Sequence, residues 1–292
     1  MSYRIIVCGI YRSGTSLITS LIRAWGAYAG KAEDLFEDEY GYLEHLGLQR
    51  LNDELLGGNS RVPISEKSLL EKAEDPETNF RARQILATMD EEVQSLGKHA
   101  WVWKDPRIPM AFPFWSRFWK DDIYVIPVRH PLETILSAAK MEGLEPEKAP
   151  LFAGFIYWQY CMLNILKYTQ NSSRKIFISY DQLLQNPETE CERLVDFLDL
   201  HCDSAMVHDA PQVEKLIAQV EAGQRHFIAA NDLAAMEVTT PEQRALYNFL
   251  RIKTLYPHET YRPEDFALHP GWMEHLQMMD MIVSGLQEGR GS

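Results

Sequence analysis

RIIVCGIYRSGTS, residues 4–16, is the stretch that decides the fold. Arg4-Ile5-Ile6-Val7-Cys8 is a short continuous apolar run, the pattern of a strand buried on both faces of a parallel sheet. It leads straight into Gly9-Ile10-Tyr11-Arg12-Ser13-Gly14-Thr15-Ser16, after which apolar residues recur with helical spacing. A glycine-bearing turn between strand and helix aims backbone N–H groups, and the positive end of the helix dipole, at one spot. That spot suits an anion. The glycines have GxxxxG spacing, but a triphosphate-binding loop carries Lys next, and here that place holds Thr15. Arg12 is the only cation of the turn. With the hydroxyls of Ser13, Thr15 and Ser16 it fits a phosphoryl-like group handled without Mg²⁺. The alternative is a plain turn that binds nothing.

Outward from this turn, Ile123–Val128 and Lys175–Ser179 read as two more buried strands, with Ala100–Trp103 a fourth. Helical patterns separate them at Thr15–Trp25, Glu44–Leu56, Asn79–Leu96, Leu132–Lys140, Ala149–Thr169 and Pro187–Leu198. Strands alternating with helices predict an α/β fold with an open, P-loop-type parallel sheet flanked by helices. Beyond Asp203 no clear strand follows, and Gln212–Arg225 and Pro241–Leu255 read as helices. The expected organisation is one domain over 1–292, with an α/β nucleotide-binding core at 1–203 and a helical C-terminal cover at 204–292.

Composition narrows the class. The chain has 292 residues, a net charge of −13 and 46% hydrophobic residues, which excludes a disordered chain, a collagen and a disulfide miniprotein. Such an acidic chain is a poor general binder of nucleic acid, which needs clustered Lys and Arg. Cys8, Cys161, Cys191 and Cys202 are scattered in apolar patterns without a CxxC pair, so buried free thiols are expected. No signal-peptide pattern is read, and the apolar stretch from Leu151 to Leu166 is shorter than a membrane span. A cytoplasmic protein is expected. The histidines show no metal-ligand spacing, so no metal is expected either.

Tyr11-Arg12-Ser13-Gly14-Thr15-Ser16 resembles the 5′-phosphosulfate loop of PAPS-dependent sulfotransferases. A second signature of that family is Arg at a strand end and Ser eight residues later, found here as Arg129 and Ser137 in VRHPLETILS. A third is the strand-Tyr-acid turn Ile178-Ser179-Tyr180-Asp181. The resemblance covers residues 4 to about 200. It implies that Arg12, Ser13, Gly14, Thr15 and Ser16 bind the 5′-phosphosulfate, that Arg129 and Ser137 grip the 3′-phosphate, and that Tyr180 lies near adenine. Arg225 matches a further clamp only loosely. From the residues alone, the alternative for Arg129 is an ion pair with Glu133, and for Tyr180 a packed sheet-end aromatic.

The implied reaction moves a sulfuryl group in line from PAPS to an acceptor hydroxyl or amine, leaving PAP. Such transfer depends mostly on positioning and on donors for the leaving oxygen. Arg12 is one cation for it and Lys104, in WKDPR, the second. The resemblance also places a carboxylate base at Glu44, after Gly41-Tyr42-Leu43, with His45 the alternative base. A hydroxyl-bearing acceptor is expected, a glycan preferred. The rival functions are a kinase-like phosphotransferase and a nucleotide-binding protein without chemistry.

Overall fold

The computed structural model describes residues 2–36, 43–58, 63–202, 215 and 238–255. In chain order its strands are β1 (Tyr3–Val7), β2 (Leu35–Phe36), β3 (Glu44–His45), β4 (Ala100–Lys104), β5 (Ile123–Val128) and β6 (Lys175–Ser179). The described helices are α1 (Thr15–Trp25), α2 (Leu46–Leu55), α3 (Glu66–Glu74), α4 (Pro76–Ser95) and α5 (Ile108–Trp115). They continue with α6 (Pro131–Met141), α7 (Leu151–Thr169), α8 (Tyr180–Gln185), α9 (Pro187–His201) and α10 (Pro241–Leu255).

Four strands form one parallel sheet in the order β4-β1-β5-β6, as the continuous apolar runs predicted. Alternate residues face opposite layers. Ile6, Cys8, Trp101, Trp103, Tyr124, Ile126 and Phe177 look into one core, which takes in residues of α2 to α5, α7 and α10. Ile5, Val7, Ala100, Val102, Val125, Ile176 and Ile178 look into the other, against α1 and α9. On α1 the buried Ile18, Leu21, Ile22 and Trp25 fall on one helical face, which explains that packing. All four cysteines are free and buried in these layers.

Some elements differ from the expectations. Glu44–Leu56 is not one helix: α2 starts at Leu46, where the His45 ring accepts a hydrogen bond from the Leu48 N–H and so caps it. Glu44–His45 instead pairs antiparallel with Leu35–Phe36. The expected helix at Asn79 begins at Pro76, because Asp75 caps it through the Thr78 N–H and Pro76 suits its first position. Helix α5, with Pro109 near its start and Pro113 inside, was not foreseen at all. The foreseen helix Pro241–Leu255 is present, and its Leu246 and Leu250 join the first core. Of Gln212–Arg225 only Lys215 is among the described residues, and Arg225 lies outside them. None of the described helices is long and apolar enough to cross a membrane.

Candidate functional site at the carboxyl edge of the sheet

Because the four strands are parallel, the segments that leave them collect along one edge. The order β4-β1-β5 sends the connection from β1 one way and that from β5 the other, and such a reversal opens a crevice for ligands. Residues 9–16 leave β1 at this crevice, 129–137 leave β5, 104–107 leave β4, and Tyr180 follows β6.

The first turn is tightly fixed. The Ser13 hydroxyl donates to the Ile10 carbonyl at 2.8 Å. Gly14 takes φ 96° and starts α1, and no side chain caps that helix, so its first N–H groups have no side-chain acceptor. A Cβ at Gly14 would lie 2.4 Å from Tyr180 Cδ2, so the Tyr180 ring covers this glycine directly. Among the described residues only Arg12 (φ 64°) and Leu43 (φ 54°) combine a side chain with a left-handed backbone. Such strain tends to be kept at functional sites, and both flank this edge.

Arg129 lies buried at the end of β5 and is held from three sides. Its Nη1 donates to the Arg12 carbonyl at 2.7 Å, its Nε to Glu133 at 3.3 Å, and its guanidinium lies 4.4 Å from the Tyr180 ring centre. Both readings of the sequence thus meet here: Arg129 does pair with Glu133, and it also reaches the first turn. Ser137 accepts a hydrogen bond from Arg12 Nε at 3.1 Å. Arg12, Ser13, Gly14, Arg129, Ser137 and Tyr180 therefore form one connected group, with Thr15 and Ser16 on the first turn of α1.

A second group lies beside it on β4. Lys104 Nζ donates to Glu44 Oε1 at 3.0 Å, and Arg107 Nη1 lies 3.2 Å from Glu44 Oε2. Arg107 also bonds Asp105 at 2.9 Å and lies 2.7 Å from Asp53 through Nε. Lys104 is 1% and Glu44 5% exposed, so both charges depend on this pairing. Burial lowers the Lys104 ammonium against the pull of Glu44, and it pushes the Asp105 carboxyl up to about 6 against the pull of Arg107. Burial pulls Arg107 down as well, but Asp105 and Glu44 overcome it and its pKa rises.

His45 sits apart from these cations. Successive residues of a strand face opposite ways, so Glu44 enters the charge cluster while His45 turns to cap α2. Burial lowers the pKa of its ring. Among the described residues no group of three or more His, Cys, Asp or Glu could hold a metal ion.

The sequence offers Arg107 only as a structural ion-pair partner of nearby acids, which is what it is here, and it gives Asn52 no role. Asn52 donates to Asp105 at 2.9 Å and accepts from the Trp115 indole at 2.7 Å. Trp115 itself packs edge-on against Trp103 at 4.8 Å, so an aromatic block fixes the 104–107 turn from behind. The only sequence signal was a polar residue on the apolar face of an amphipathic helix. Asn52→Leu would leave Asp105 and the Trp115 N–H short of a buried partner each. A loss of about 2–4 kcal/mol in urea unfolding is expected. A loss below about 1 kcal/mol would show that Asn52 does not hold the turn.

A family model described as the sulfotransferase family matches residues 4–204. Among solved structures, the chain is similar to a sulfotransferase domain from the curacin biosynthetic pathway, at 15% identity and TM-score 0.46, covering 89% of this chain and 99% of that one. It is also similar to a sulfotransferase domain from the Synechococcus PCC 7002 olefin synthase, at 18% identity and TM-score 0.46, covering 96% and 94%. A search of curated proteins gave no match.

Proposed function

Since the chain belongs to the sulfotransferase family, we propose that it moves a sulfuryl group from PAPS to an acceptor hydroxyl or amine. One observation carries the donor: two cations, Arg12 and Arg129, are interlocked beside the uncapped start of α1. A donor with phosphates at both ends of its ribose needs two anion subsites within one crevice. The N–H groups of Gly14, Thr15 and Ser16, with Arg12, fit the 5′ side, and Arg129 with Ser137 the 3′ side. The Tyr180 ring is the surface offered nearest to adenine.

The donor supplies a sulfuryl group on the oxygen that bridges to its 5′-phosphate. Transfer needs positive charge near that oxygen and a base for the acceptor proton. Arg12 and Lys104 supply the charge. Glu44 takes the proton, its carboxylate oriented by Lys104 and Arg107. The acceptor comes in over half-buried Asp53, and a hydroxyl-rich glycan is the class we favour. The whole chain acts as one domain, and four buried free thiols agree with a reducing, cytoplasmic setting.

Calorimetry with PAP and with 5′-AMP tests the donor. Wild type is expected to prefer PAP, and Arg129→Ala to cost about 2–4 kcal/mol of PAP affinity. Part of that loss should also appear with 5′-AMP, because Arg129 holds the Arg12 carbonyl. Equal losses for both ligands would make Arg129 structural only. A wild type with no preference for PAP would sink the donor assignment.

A further inference from the structure

The charge cluster beside β4 sets three carboxylates against two cations, and its oxygens are not equally occupied. Glu44 gives Oε1 to Lys104 and Oε2 to Arg107. Asp105 gives Oδ1 to the backbone N–H and Nη1 of Arg107, and Oδ2 to Asn52. Asp53 has Oδ1 2.7 Å from Arg107 Nε, while its Oδ2 meets no partner among the described residues. Its side chain is 43% exposed, against 7% for Glu44 and 0% for Asp105. One carboxylate oxygen of the cluster is thus left for a donor that arrives from outside.

We infer that Asp53 is a specificity-determining residue on the acceptor side, accepting a hydrogen bond from a second hydroxyl while the reacting one meets Glu44. This rests on the sulfotransfer reading above. One planar guanidinium holds both carboxylates, Glu44 at Nη1 and Asp53 at Nε. They are therefore separated by no more than that group, and a single sugar ring can reach both with two of its hydroxyls. Arg107 also keeps Asp53 from turning, so less rotamer freedom is lost when the acceptor binds. A hydroxyl that donates to an ionised carboxylate makes one of the stronger hydrogen bonds. A simple alcohol has nothing to give Asp53. Sites made to bond a hydroxyl reject the analogue that lacks it, and the rejection is milder here because water still reaches the half-buried carboxylate.

The probes are the 4-nitrophenyl glycosides of glucose, galactose and mannose, with 4-nitrobenzyl alcohol as the acceptor that has a single hydroxyl. Turnover with radiolabelled PAPS gives kcat/KM for each in wild type, Asp53→Asn and Asp53→Ala. Wild type is expected to favour its best glycoside over the single alcohol. Asp53→Ala should cut that ratio about tenfold, the size of a lost hydrogen bond to a charged group, mainly through the KM of the glycoside. Asp53→Asn keeps an acceptor oxygen without its charge, so its ratio should fall between the two. A merely structural role would weaken both kinds of acceptor alike and leave the ratio where it was.

If the ratio in Asp53→Ala stays within twofold of wild type, the inference is overturned while the sulfotransfer reading stands. A wild type that sulfates only the single alcohol overturns it as well. Should wild type bind PAP yet sulfate neither kind of probe, saturation-transfer NMR of the glycosides on the enzyme–PAP complex decides. No glycoside signal there, or an equal one in Asp53→Ala, overturns the inference, and a signal lost only in Asp53→Ala supports it. If PAP itself does not bind, the donor assignment falls, and this inference with it. Far-UV circular dichroism of each variant separates lost recognition from lost fold.

Discussion

Gly14→Val is expected to raise the Kd for PAP by about 100-fold or more, about 2.7 kcal/mol, with a native far-UV spectrum. Two effects coincide at this residue. Its φ of 96° is one that a β-branched residue strongly resists, and its added Cβ would come within 2.4 Å of Tyr180 Cδ2 and 2.8 Å of Cε2. The ring has little room to retreat, because its face carries the Arg129 guanidinium. Displacing Tyr180 therefore disturbs Arg129, and Arg129 holds the Arg12 carbonyl. One side chain would damage both anion subsites at once. Near-wild-type affinity in Gly14→Val would remove the first turn from the binding site.

Glu44→Gln is expected to lower kcat by about 10²–10⁴-fold, the usual contribution of a general base. The measurement is PAPS-dependent turnover on an acceptor found by screening hydroxyl-bearing compounds. Glu44 also neutralises two buried cations, so the variant should be less stable by about 1–3 kcal/mol. Turnover must then be compared at a temperature where both proteins are folded. PAP binding should change little, since Glu44 contacts the β4 cluster and not the first turn. His45→Ala is the internal control. Losing the cap of α2 should cost about 0.5–2 kcal/mol of stability and leave kcat in place. Should His45→Ala abolish turnover while Glu44→Gln does not, the base is His45. If neither matters, the base lies elsewhere, and Asp105 is then the nearest carboxylate, though Arg107 and Asn52 already hold its oxygens.

The main sheet was legible because each of its strands is buried on both faces and so writes an unbroken apolar run. Ile123–Val128 and Lys175–Ser179 have the predicted bounds, and Thr15–Trp25 is the predicted helix. The two-residue strands β2 and β3 are too short to carry a period. Glu44 and His45 looked helical because Leu48, Leu51 and Leu55 downstream share one face, and only the cap at His45 separates strand from helix. The prolines of IPMAFPFW hid α5, whose aromatic packing overrides its poor propensity. For the site, the turn after β1 could be read since its residues are adjacent. The bond from Arg12 to Ser137, and the meeting of Glu44 with Arg107, join residues far apart in the chain. No spacing rule registers such contacts.

The place of β1 in the sheet has a consequence for biosynthesis. Both of its edges are filled by strands that come much later: Tyr3 pairs with Ala100, and Ile5 with Ile123. At about 5–20 residues per second, a ribosome takes roughly 5–25 s to extend from the first strand to its second neighbour. Through that interval an apolar segment with two open hydrogen-bonding edges waits without partners, which is the state most prone to aggregate. Production in cells should therefore depend on trigger-type or other ribosome-bound chaperones, and on slower growth temperatures, more than the stability of the finished protein would suggest.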